Sequence, residues 1–184
     1  ITFIMAWELM SLSSFFLVAY NYEAGENRTA GYLYLIFSQV GAMFIFAAFG
    51  LIYAHSGSLE FSGAAGLTDA AKILVFVLAF IGFGSKAGVF PLHVWLPHAH
   101  PAAPSHISAV MSGVMIKTGI YGTLRIYAIL DGPGALFGDI VLIAGMVSGV
   151  LGVVYALGHH DLKRLLAYHS VDNIGIILIG IGLG

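Results

Sequence analysis

Long apolar runs separated by short polar breaks dominate the chain. Six runs can be marked, at roughly 1–21, 30–54, 69–90, 105–130, 135–157 and 161–184. A helix needs about 20 apolar residues to cross the hydrocarbon layer. The polar–apolar alternation of a barrel strand is absent from these runs, and in lipid a helix satisfies its own backbone. The pattern predicts an all-α polytopic membrane protein with about six transmembrane helices. Two of them are expected to be broken. Gly82, Gly84 and Gly88 surround the end of the third run, and Pro91 follows. Pro101 and Pro104 precede the fourth, within the stretch PLHVWLPHAHPAAPSH. Proline cannot continue a helix without losing a hydrogen bond.

Composition supports a membrane location. Hydrophobic residues make up 59% of the 184 and charged residues 9%, against about a quarter charged in soluble domains. A net charge of −2 gives no basis for a nucleic-acid partner. With no cysteine, the chain has no thiolate metal site and no cysteine-ligated iron–sulfur cluster. No cofactor is expected in this chain, so redox chemistry would belong to another subunit. Ile1 stands inside an apolar run with no basic segment before it. The chain is therefore expected to be a piece of a longer protein rather than to open on a signal peptide. Arg28, Lys163 and Arg164 fall in breaks on one side, Lys72 and Arg125 on the other. The short turn carrying Lys163 and Arg164 places its side in the cytoplasm. Gly145 and Gly149 have the spacing of close helix packing.

Three charges lie well inside apolar runs: Glu8, Lys86 and Lys117. Each costs about 2.5–3.5 kcal/mol at a helix centre. A lysine near an interface can snorkel, but Lys117 is 12 residues from Ser105 and 13 from Leu130. Burial pushes a lysine towards its neutral form, and a nearby carboxylate pushes it back. Glu8 reads as the one carboxylate deep in a span, so a Glu8–Lys86 pair that tightens and loosens would let a lysine gain and lose a proton.

Eight histidines leave several readings open. A haem would need two axial ligands, and His93 and His106 are 13 apart, but Pro91, Pro97, Pro101 and Pro104 break up this region. His93, His98 and His100 could form a metal site, but no carboxylate lies nearby. Polar lining of a wet passage fits better. On that reading His106 opens a span and is a relay candidate, as is His169 inside the sixth. His159 and His160 read as solvated turn residues.

WELMSLSSFFLV, GFGSKAGVFPLHVWLPHAHPAAPSHISAVMSGVMIKTGIYGTLR and DLKRLLAYHSVDNIG together resemble the proton-translocating antiporter-like subunits. These occur in complex I, in membrane-bound hydrogenases and in multisubunit sodium/proton antiporters. The likeness covers nearly the whole chain, and HSVDN after Tyr168 is most similar to the hydrogenase-4 and formate hydrogenlyase branch. The resemblance implies two inverted repeats, each with a broken helix, of which these spans look like the fifth to tenth helices. It implies that Glu8 pairs with Lys86 and that Lys117 is the central lysine. Lys163 would serve the second half's relay or its cytoplasmic edge. It also implies a prokaryotic inner or plasma membrane, other membrane subunits as partners, and protons or sodium ions as cargo. The exit residue would lie beyond residue 184. Some members carry a histidine six residues before the Lys117 position, where this chain has Met111, and His106 is the candidate to replace it. A sodium/proton antiporter subunit and a haem-binding electron carrier are the alternatives.

Overall fold

The computed structural model describes residues 1–58, 60, 64, 66–131 and 134–184. Eight α-helices are present among them: α1 (Thr2–Val18), α2 (Gly25–Ser56), α3 (Asp69–Ala87), α4 (Leu96–Ala102), α5 (Ser105–Val110), α6 (Ile116–Ile129), α7 (Ala135–Leu157) and α8 (Leu162–Leu183). A π turn, Met111–Met115, joins α5 to α6, so the helix runs unbroken from Ser105 to Ile129. This run and α2, α3, α7 and α8 are each long and apolar enough to cross a membrane. The apolar α1 has 17 residues. At 1.5 Å per residue it spans about 25 Å, the short end of what a bilayer needs.

The two expected interruptions take different forms. The third run stops being helical at Ala87, because Gly88 adopts a left-handed conformation with φ 76°. Val89 N–H donates back to the Gly84 carbonyl at 2.9 Å and closes the helix end. Only glycine fits at 88, since a Cβ there would run into the Leu96 side chain. The chain then turns through a cis Phe90–Pro91 bond before α4 begins. The second interruption is the π turn, which widens the helix without breaking it. Pro101 lies within α4 and Pro104 directly precedes α5, so neither cuts the Lys117 span.

Glycine seams set the packing. A Cβ on Gly82 of α3 would lie 2.6 Å from the Gly41 carbonyl of α2. One on Gly119 of α6 would lie 2.8 Å from Ala87 N. Helix α3 is thereby pinned on two sides. Helices α7 and α8 pack along their length through Gly138, Gly145 and Gly152, which repeat every seven residues, against Gly175 and Gly182. Gly145 and Gly149 belong to this seam, as a packing role requires.

Asn27, His98 and Arg164 line one cleft of about 440 Å³, so the first, third and fifth breaks share one end of the bundle. Cysteines placed at Asn27 and Ala102 should label from the same side, and one at Ser58 from the opposite side. Labelling of residues 27 and 102 from different sides would refute this arrangement. Gly82→Val and Gly119→Val should each cost about 1–3 kcal/mol of stability through overpacking. Gly50→Ala, with nothing within 4 Å, should cost far less. Thermal unfolding in detergent makes the comparison.

Candidate functional site

Lys86 occupies the last turn of α3 and is 3% exposed. A buried ammonium has to replace its water with protein oxygens, and α1 and α2 supply them. Its Nζ donates to the Tyr34 hydroxyl and to Ser11 Oγ, the latter at 3.3 Å. Ser14 Oγ–H donates to the α1 backbone at Met10 and Ser11. The Tyr34 hydroxyl can therefore donate to Ser14 Oγ while accepting from Lys86. Tyr34 is itself fully buried, with Trp95 edge-on at 5.0 Å. The Trp95 indole N–H donates to the Ser85 carbonyl at 2.9 Å and so ties the residues after the break to the turn that carries Lys86.

Glu8 and Lys86 are neighbours but not a direct ion pair. Glu8 Oε2 accepts from Gln39 Nε2 at 3.1 Å, and its Oε1 is buried without a protein partner. The carboxylate acts on the ammonium through space. Ser11, one turn along α1 from Glu8, makes the contact instead. Hydropathy and charge do not single out Ser11, Ser14, Tyr34 or Gln39. Ser11 and Ser14 repeat the Glu8 face at steps of three, and that spacing is the one signal the sequence offers for them.

Lys117 differs from its expected setting. Its span is central, but the side chain is exposed in this chain and Nζ donates to the Ser112 carbonyl at 2.7 Å. Helix α6 turns Gly119, Gly122 and Ile126 inward, against α3 in the case of the two glycines. That leaves Lys117 on a face these residues do not cover. Lys163 spends its ammonium on the Pro101 and Ala103 carbonyls, at 3.2 and 3.0 Å, where α4 ends. Such a helix C-terminus attracts cations. His106 lies exposed on α5. Met111, at the position compared with a histidine, is fully buried. His159 is half-buried and stacks on Tyr168 at 5.0 Å, so of the two turn histidines only His160 is solvated.

Glu8 is also not the only carboxylate deep in a span. Asp172 lies midway along α8, buried, with Oδ2 2.8 Å from His169 Nδ1. It is the fourth residue of the HSVDN string, whose polar neighbours disguise a charge placed inside an apolar run.

A polytopic bundle with a buried lysine at the end of a discontinuous helix has the architecture of membrane transporters. The profile of the family described as NADH:quinone oxidoreductase/Mrp antiporter, transmembrane region, matches residues 1–184, and the chain belongs to this family. It is 48% identical to hydrogenase-4 component B of Escherichia coli, over 98% of this chain and 28% of that protein. It is 34% identical to formate hydrogenlyase subunit 3 of Escherichia coli, over 99% of this chain and 29% of the relative. Among solved structures, a chain of the Mrp complex from Dietzia superposes with a TM-score of 0.89 at 28% identity, over 98% of this chain and 35% of the other. The chain thus spans about a third or less of the curated relatives it matches.

The buried charge is expected to be dispensable for folding. Replacing Glu8 and Lys86 together by Gln and Met should leave stability within about 1 kcal/mol or raise it, because desolvation of both charges is relieved. Tyr34→Phe should lower it by about 1–3 kcal/mol, leaving a buried ammonium under-solvated. Melting temperatures of the purified protein decide both.

Proposed function

We propose that this chain carries protons across a prokaryotic membrane as the antiporter-like subunit of a redox-driven complex of the hydrogenase or NADH–quinone oxidoreductase type. The observation that carries the reading is Lys86. It is buried among hydroxyls, with a carboxylate close enough to act on it but not clamped to it. A tight ion pair would hold its proton, whereas this loosely held ammonium can release one when the field of Glu8 weakens. Lys117 is the next station. Its exposed face is where further helices of a longer protein would enclose it. His169 and Lys163 extend the relay along α8, and His106 stands at the polar end of α5. Other membrane subunits are the partners, and they would hold the redox centres.

The likeness to the Mrp complex chain favours a second reading, a sodium/proton antiporter subunit without a redox partner. Genes for a hydrogenase or quinone-reductase module beside this one would support the first reading, and sodium-driven proton exchange by the isolated membrane complex would support the second.

Lys117→Ala should abolish proton uptake into vesicles of the assembled complex, with electron transfer followed in parallel. Lys117→Arg should fail as well, because a guanidinium keeps its proton. Normal uptake with Ala would remove Lys117 from the relay. Normal uptake with Arg would make it a fixed-charge gate. Glu8→Gln should cut uptake, and an unchanged rate would end the pairing with Lys86.

A further inference from the structure

Asp172 is an acid at the middle of a membrane helix, where an ionised carboxylate is costly. Packing does not call for it. On the α7 side it meets Gly152, whose missing side chain makes room for the backbone and Cβ of residue 172, not for a carboxylate. It also borders a groove otherwise lined by apolar side chains and a glycine, Val150, Val153 and Ile176 among them. Its partner is His169, whose ring is half exposed on the other side. There it faces a cleft of about 590 Å³ between α8 and the α5–π-turn segment.

Lys117 is joined to the lining of that cleft through Ser112. Ser112 and Ser170 join across it at 2.9 Å. Ser170 Oγ–H donates to the Leu166 carbonyl, so Ser112 is the donor of the pair. The carbonyl of the same Ser112 holds Lys117 Nζ. One residue of the π turn thus touches both the lysine and α8, and His169 adjoins Ser170 in the chain. His100, Ser108 and Asn173 complete the polar lining, and Lys163 stands at its edge with its ammonium on the α4 carbonyls.

We propose that His169 and Asp172 form a proton-holding dyad that exchanges a proton with Lys117 across this cleft. The Lys117 ammonium gives a proton through cleft water to His169 Nε2. The Nδ1–H of His169 passes to Asp172 Oδ2. The lysine ends as a neutral amine, the imidazole stays neutral with its hydrogen on the other nitrogen, and the carboxylate becomes a carboxylic acid. One positive and one negative charge disappear together, which a low-dielectric site favours. The return step reverses these transfers. The dyad rests on the relay reading of Lys117.

The test uses the assembled complex in vesicles. Proton uptake per electron pair is measured for Asp172→Asn, His169→Gln and Lys117→Ala, with an infrared difference spectrum between oxidised and reduced states. Asp172→Asn and His169→Gln should each cut uptake at least about tenfold, and Asp172→Asn should delete a protonated-carboxyl band that Glu8→Gln keeps. If Asp172→Asn does not assemble, the dyad stands or falls on His169→Gln, which keeps a hydrogen-bonding side chain without the titration. Normal uptake in the dyad variants with loss in Lys117→Ala overturns the dyad and leaves the relay standing. Normal uptake in all three overturns both. Loss of uptake with the carboxyl band unchanged makes Asp172 a positioning residue and overturns its role as proton holder.

Discussion

An ammonium in hydrocarbon must be solvated by the protein or give up its proton, and the arrangement around Lys86 follows from that requirement. Three helices converge on one Nζ. Helix α1 brings Ser11 and Ser14, α2 brings Tyr34 and Gln39, and α3 brings the lysine. The hydroxyls are polar enough to hold a charge and neutral enough not to trap it. A carboxylate in contact would have fixed the proton in place. Glu8, held by Gln39 and making no direct ion pair with Lys86, biases the site without locking it.

Such a site works only if its parts cannot drift, and the glycine seams supply that rigidity. Gly41 and Gly82 bring α2 against α3, and Gly119 brings α6 against the last turn of α3. The left-handed Gly88 ends α3 two residues beyond Lys86, and Trp95 reaches back from the turn to the Ser85 carbonyl. The lysine thus sits at a helix end whose position is fixed from three directions. In water these glycines would weaken the helices. In a bilayer the close backbone approach they permit is worth more.

How much of this the sequence carries depends on range. Span number and the odd charges are legible because hydropathy acts residue by residue. The end of α3 is legible in principle, since Gly88 followed by Pro91 is a stop signal, yet the apolar Val89 and Phe90 extend the run to 90. Tyr34 is not legible, because nothing local distinguishes a buried tyrosine from an interfacial one until α1 and α3 are placed beside it. The exposure of Lys117 is hidden for the same reason: a central position along a span says nothing about which face the neighbours cover. Asp172 is legible by the rule that flags Glu8, but its neighbours His169, Ser170 and Asn173 make the segment look like a polar motif.

The two lysines have different wiring, and in the proposed relay the seam between them would act as a control step. Where α6 meets α3, Gly119 and Gly122 lie against the α3 backbone, the Ala87 methyl and the Phe83 ring. Protons hop along hydrogen-bonding groups, and none of these four side chains offers one. The Lys86 ammonium is held by hydroxyls of α1 and α2, whereas Ser112, whose carbonyl holds Lys117, bonds across to α8. In the proposed relay, a proton leaving Lys86 for Lys117 would have to wait for water to enter or for α6 to shift against α3. The π turn, which directly precedes α6, is the place in this helix where such a shift would be accommodated. A permanently wet connection would let protons leak down the gradient. In the proposed relay, an apolar seam beside the π turn would keep the two sites apart until the charge state of one alters the other.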